Sequence, residues 1–181
     1  VDGCVVAFES ELTTAFLAHW TSLRRGTAIP TTEDYLDRMD RRFAPLIVVF
    51  DCTAEDVIVR LQGTAVVERW GVNRTGQSWL AHKPPGTRAA ILANMTDCVA
   101  RPCGVWAYGA AVSRLGRSAK LENLTLPLGV RGERPLRLVT LSNQLDRFNE
   151  RDGAKDHSAK RTLDWYDVGF GVPPHGLRAH A

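Results

Sequence analysis

The sequence predicts an α+β fold: a five-stranded antiparallel sheet with helices on one face, preceded by an N-terminal helical extension.

 Three observations lead there. An unbroken apolar run, Leu46 to Phe50, stands beside an alternating run, Val57 to Gln62, as two strands of a hairpin. A mid-chain stretch from Thr87 to Ala100 has helical periodicity, with Ile91, Leu92, Met95, Cys98 and Val99 on one face. Three more strand-like segments follow, Val105–Arg114, Ala119–Val130 and Leu136–Asn143.

The elements can be justified in order. Ser10 to Arg25 reads as a helix, because Leu12, Phe16, Trp20 and Leu23 recur at helical spacing and Leu17 widens the stripe. Ser10 caps its start, Gly26 ends it, and Arg24 and Arg25 suit the negative end of its dipole. After Pro30, Thr31 and Thr32 open a polar helix running to about Arg42, and Pro45 ends it. Asp51 to Asp56 is the turn between the first two strands. Gly63 breaks the second strand, and Thr64 is expected to cap a short helix, Ala65 to Trp70, that Gly71 terminates. Asn73 to Gly76 forms a turn, and Trp79 and Leu80 begin another helical turn. In the third strand Trp106, Tyr108, Ala110 and Val112 share one face; in the fourth, Leu124, Leu126, Leu128 and Val130 do. Residues 146–162 are polar and charged, a linker or an exposed helix. Leu163 to Val172 is apolar again and should dock on the body or on a partner, while Pro173 to Ala181 looks frayed. The expected division is therefore an N-terminal extension over 1–45, a sheet domain over 46–145 and a C-terminal linker and docking segment over 146–181.

Composition limits the functional classes. The chain has 181 residues, 44% hydrophobic and 24% charged, which is globular and sufficient for a core without disulfides or metal. No apolar run approaches the roughly 20 residues of a membrane span. Lys and Arg total 23 against 20 acidic residues, a net charge of +3 that is too weak and scattered to indicate nucleic acid. The four cysteines, Cys4, Cys52, Cys98 and Cys103, form no Cys-x-x-Cys pair, and no secretory start is visible. A cytoplasmic protein with reduced thiols is expected, in which the sequons at Asn73, Asn94 and Asn123 carry no meaning.

Several short motifs then fall in a familiar order. They are His19-Trp20-Thr21-Ser22-Leu23-Arg24-Arg25-Gly26, Arg60-Leu61-Gln62-Gly63-Thr64, Trp70-Gly71, Thr75-Gly76-Gln77-Ser78 and Glu122-Asn123-Leu124-Thr125-Leu126-Pro127-Leu128. Over roughly residues 12 to 145 the chain resembles short, stand-alone bacterial proteins of the PAS domain family. Each motif alone is weak; their order and spacing carry the resemblance. It implies a sensory or regulatory module, commonly dimeric, with a pocket between the sheet and the mid-chain helix. It fixes no cofactor, because members take haem, flavin, small metabolites or nothing.

The candidate sites follow from that frame. Haem needs an axial histidine, and His82, just before the long helix, is the best placed, although a surface loop position is the commoner fate of such a residue. The flavin-binding cysteine of light-sensing relatives directly follows an asparagine; here Asn73 precedes Arg74. No cluster of Cys and His has metal-ligand spacing, and Cys98 reads as a small core hydrophobe. Redox sensing by Cys103 would require an exposed, acidic thiol. No nucleophile elbow is present, and Asp34, Asp37 and Asp40 lie on a solvated face beside Arg38, Arg41 and Arg42, so no catalytic residue is assigned. The cofactor stays unknown.

The remaining candidate is an apolar ligand site formed by Trp70, Trp79, Leu92, Met95, Trp106, Tyr108 and Leu126. Ordinary core packing uses such residues more often than ligands do. Arg60 is a possible anchor for an anion, although its place in the alternation favours exposure. Leu12, Phe16, Trp20 and Leu23 must be covered, either by the sheet or by a second copy; the resemblance favours a homodimer, which Trp20→Asp should weaken. The expected function is sensing of a small apolar or amphipathic ligand, or signalling by protein contact alone, through an unknown downstream partner. No kinase, cyclase or DNA-binding segment is visible. The alternatives are a small enzyme of the curved-sheet isomerase or thioesterase type, which needs a buried carboxylate or histidine in the cleft, and a purely structural interaction module.

Overall fold

The computed structural model describes residues 7–26, 28–112, 118–130, 133–146 and 162–178. The strands are β1 (Ile47–Cys52), β2 (Val57–Gln62), β3 (Gly104–Val112), β4 (Ser118–Val130), β5 (Glu133–Gln144) and β6 (Thr162–Tyr166). They form one sheet in the order β2-β1-β5-β4-β3-β6, with every neighbouring pair antiparallel. The helices are α1 (Glu11–Ser22), α2 (Thr32–Asp37), α3 (Thr64–Trp70) and α4 (Pro85–Ala100).

The five expected strands are all present, and a sixth joins them. Thr162-Leu163-Asp164-Trp165-Tyr166 pairs with β3 through Val105 opposite Trp165 and Ala107 opposite Leu163. Its alternation of apolar and polar residues is the strand signal within the apolar segment expected to dock. Most of the polar stretch expected before it lies outside the described residues.

Local chemistry sets the helix ends. Ser10 Oγ accepts the Leu12 amide at 3.0 Å, and Thr31 Oγ1 accepts the Asp34 amide at 3.1 Å, so both caps satisfy first-turn donors. The second helix ends at Asp37, short of the expected Arg42. Asp40 instead takes the Arg42 amide and guanidinium at 2.9 and 2.7 Å, and such a side-chain turn competes with helical backbone. Those bonds from Arg42 hold the Asp40 carboxyl down at about 2. The third helix starts one residue early: Gly63 occupies the cap position and Thr64 is already helical, without a side-chain cap. Gly71, at φ 68°, ends it in the left-handed conformation. The fourth helix carries Pro85 in its first turn, where no amide hydrogen bond is lost.

Strand alternation sends side chains into two cores. On one face Ile47, Val49, Leu124, Leu126, Leu128, Val139 and Leu141 pack under Phe16, Trp20 and Tyr35 from α1 and α2. On the other, Val48, Phe50, Cys52 and Leu138 pack with Val66 of α3 and Cys98 of α4. Helices therefore cover both faces, where one was expected. The leading helix supplies the second layer because its apolar stripe fits the leucines of β4.

Candidate functional site

The two faces are filled differently. The face under α1 is packed with leucines and aromatic rings, whereas the face under α3 and α4 borders a half-open cavity of about 490 Å³. Phe50, Trp70, Trp79, Ile91 and Met95 form its apolar wall. Its floor is polar. Asn123 lies opposite Ser142 and Thr125 opposite Thr140 in the β4–β5 register, and all four line the cavity. Thr125 and Thr140 share a hydrogen bond of 2.8 Å between their hydroxyls. Ala107 of β3 also reaches the wall, and a small side chain there leaves volume open. Space of this size, apolar with a few polar groups, is the normal form of a small-molecule site.

The structure divides the sequence-derived site. Trp70, Trp79 and Met95 line the cavity together. Leu92 does not; it borders a separate surface depression beside Ser78 and Arg88. Trp106 and Leu126 belong to the opposite core, under α1. Tyr108 contributes to the cavity wall, but its ring stacks on Trp106 with centroids 6.1 Å apart. The shared face of Leu124, Leu126 and Leu128 on β4 was legible in the sequence; which face carries the cavity was not, and β3 divides, with Trp106 in the opposite core and Tyr108 and Ala110 on the cavity. The missed signal was polar: Asn123 and Thr125 alternate with Leu124 and Leu126, and Thr140 and Ser142 with Val139 and Leu141.

Other candidates lie elsewhere. His82 is exposed and approaches Gln77, outside the cavity wall. Arg60 pairs with Asp51 at 3.5 Å on the surface and also lies outside that wall. Cys98 and Cys103 are both fully buried, and Cys98 Sγ donates to the Cys103 carbonyl at 2.6 Å. That contact with Cys103 and burial push the Cys98 thiol well above its usual value. Burial, aided by Asp51, pushes Cys52 up to about 12. Neither is the acidic thiol that redox sensing requires. Among the described residues no group of three His, Cys, Asp or Glu is placed to hold a metal ion.

Leu12, Phe16, Trp20 and Leu23, expected between two copies, pack within this chain. Phe16 and Trp20 are buried against this chain's own sheet, Leu23 nearly so, and Leu12 packs at the edge of the same core. The Trp20 indole donates to the Pro127 carbonyl at 2.9 Å. A charged substitution at Trp20 therefore tests the core before it tests association.

Two further features escaped the sequence reading. Glu122 is fully buried on the α1 side, where it accepts the Trp106 indole at 2.9 Å, the Thr13 hydroxyl at 2.7 Å and the Glu9 amide at 2.8 Å. The chain after β6 forms a strap across α4. Asn94 exchanges two hydrogen bonds with the Arg178 backbone, at 3.1 and 3.0 Å, and Asp97 pairs with His175 and Arg178. Trp165 donates to the His175 carbonyl at 2.9 Å, and Leu177 reaches the cavity wall. Burial disfavours the charged Asp97, but the bonds from Arg178 and His175 outweigh it and hold its pKa below the usual value.

The family model described as PAS domain matches residues 8–141, most of the chain, and the chain belongs to that family. Among solved structures, the PAS domain of an HTR-like protein from Haloarcula marismortui is similar at 14% identity, with a TM-score of 0.44 over 62% of this chain and 93% of that one. No curated protein matches the chain. Among the described residues, no helix is long and apolar enough to cross a membrane.

Proposed function

We propose that this PAS domain is a sensory module that takes a small apolar or amphipathic ligand into the cavity between its sheet and α4. The observation that carries this reading is the unequal filling of the two faces. One is closed by α1, while the other holds about 490 Å³ of space with a row of hydrogen-bonding groups on its floor. A ligand there touches Met95 on the same helix that Asn94 and Asp97 tie to the C-terminal strap. Occupancy and strap docking are thereby mechanically connected, and a ligand signals if it favours one strap state over the other.

The enzyme alternative has less support. The described cavity lining contains no Asp, Glu or His, and the buried Glu122 faces the other core. Native mass spectrometry of gently purified protein, beside an Ala107→Leu variant that fills the cavity, tests the ligand reading. The expected result is a retained adduct or a titratable ligand that Ala107→Leu excludes. Equal binding by a folded Ala107→Leu protein would move the site out of the cavity.

A further inference from the structure

The protons on the cavity floor narrow the ligand class. Ser142 is buried on β5 and lines the cavity. Its hydroxyl oxygen accepts the Arg69 guanidinium at 2.9 Å, and Arg69 also reaches the Ser142 carbonyl and the Gln144 side chain. A serine hydroxyl carries one proton, and that bond leaves it unused. Among the described residues no acceptor takes it. The guanidinium polarises the oxygen, which strengthens the hydroxyl as a donor and weakens it as an acceptor. Thr125 and Thr140 repeat the pattern. One hydroxyl donates to the other at 2.8 Å, so whichever accepts keeps a proton to give. Asn123, opposite Ser142, adds a side-chain amide with two N–H groups. Asn94 of α4 also lines the cavity, but its amide is already bonded at both ends to the Arg178 backbone. The floor is therefore a row of donors in a mainly apolar space, and an unmade donor costs more than an unused second lone pair.

From this arrangement we infer that the ligand is an uncharged, mainly apolar molecule with a carbonyl oxygen (a ketone, ester or amide) set against the Ser142 hydroxyl and its neighbours on the floor. The inference rests on the cavity being the ligand site, as in the preceding section. A head group that only donates meets, at Ser142, an oxygen already engaged by Arg69. A hydrocarbon fills the apolar space but leaves the floor donors unmade. A carboxylate can accept the same bonds, but it brings a full charge against the uncharged side chains of the floor, which is costly away from water. A carbonyl oxygen takes two of the donors at once and carries no charge to desolvate.

The test titrates the full chain with probes built on one bicyclic frame: 1-indanone, indole, indene and indane-2-carboxylate. Calorimetry gives each affinity for the unsubstituted protein and for Ser142→Ala. Ser142→Ala should weaken 1-indanone about fivefold, the scale of one hydrogen bond, and leave indene and indole unchanged. The carbonyl stretch of bound 1-indanone, read by infrared difference spectroscopy on isotope-labelled probe, should lie below its position in cyclohexane. A stretch at the cyclohexane position would overturn the inference without recourse to any variant. Equal losses for 1-indanone and indene in Ser142→Ala would overturn it too, as would tighter binding of indane-2-carboxylate than of 1-indanone by the unsubstituted protein. Ala107→Leu separates the two readings. A probe that it excludes lies in the cavity whatever its head-group preference, while equal binding of 1-indanone by folded Ala107→Leu would overturn both. Failure of every probe would overturn the inference, and the cavity reading fails separately if gentle purification also yields no adduct. Circular dichroism of Ser142→Ala verifies that its fold is kept.

Discussion

Glu122 accepts the indole N–H of Trp106 at 2.9 Å while both side chains are buried beneath the leading helix. The Thr13 hydroxyl and the Glu9 amide complete the set, so one carboxylate joins β3, β4 and the start of α1. Replacing it by leucine strands three donors, at about 1–3 kcal/mol for each that stays buried. Glu122→Gln retains an oxygen for Trp106 and Glu9 and can donate to the Thr13 hydroxyl. The expected order of urea midpoints is unsubstituted, then Gln, then Leu. A leucine variant as stable as the parent would refute the assigned role.

Trp20 is the corresponding anchor in the middle of α1. It is buried, and its indole satisfies the Pro127 carbonyl at 2.9 Å. That carbonyl lies beyond the last β3–β4 pair, Val105 opposite Thr125, so it has no β3 partner there. Trp20→Phe keeps most of the packing and should lose about 1 kcal/mol. Trp20→Ala should lose about 3–5 kcal/mol through the missing ring. Thermal or urea unfolding measures both, and equal losses would show that the ring's packing contributes little.

Gly63 is required by close approach rather than by an unusual backbone angle, since its φ is −66°. An added Cβ would lie 2.6 Å from the Ala44 carbonyl oxygen and nearer still to Pro45, both rigid backbone. Gly63→Ala should destabilise by about 3 kcal/mol, as overpacking against backbone does. Gly76, with φ 81° and open space around its Cβ, should tolerate Asn better than Ala. An unchanged unfolding midpoint for Gly63→Ala would contradict the contact.

The strap on α4 should respond to acid. The folded Asp97 carboxyl has a depressed pKa, so its contribution is present above the ordinary carboxylate value and lost as pH falls through the folded one. Docking of residues 167–178 should therefore persist at neutral pH and loosen only in strong acid. At neutral pH Asp97→Asn should speed amide exchange in this segment about fivefold, the effect of roughly 1 kcal/mol for a partly exposed pair. Unchanged exchange would mean that the Asn94 bonds and Leu177 packing hold the strap without Asp97.

Much of this architecture was legible in local pattern. The apolar stripe of α1, the hairpin at β1 and β2, the periodicity of α4 and the alternation in β3 and β4 each depend on neighbours close in sequence. Short motifs in order carried the family. The sequence by itself thus determined the main elements, their order and, on β4, which residues share a face.

Tertiary structure decided the rest. A period of two separates Trp106 and Leu126 from Ala107 and Thr125, but it is symmetric between faces until helices are laid on the sheet. Only then do Trp106 and Leu126 become core and Thr125 a cavity floor. Glu122 looks like a surface residue in a strand, because its three donors come from Glu9, Thr13 and Trp106, distant in sequence. The strap is similar: Asn94 and Arg178 meet across 84 positions. Such contacts depend on how whole elements pack, and local periodicity carries no information about that packing.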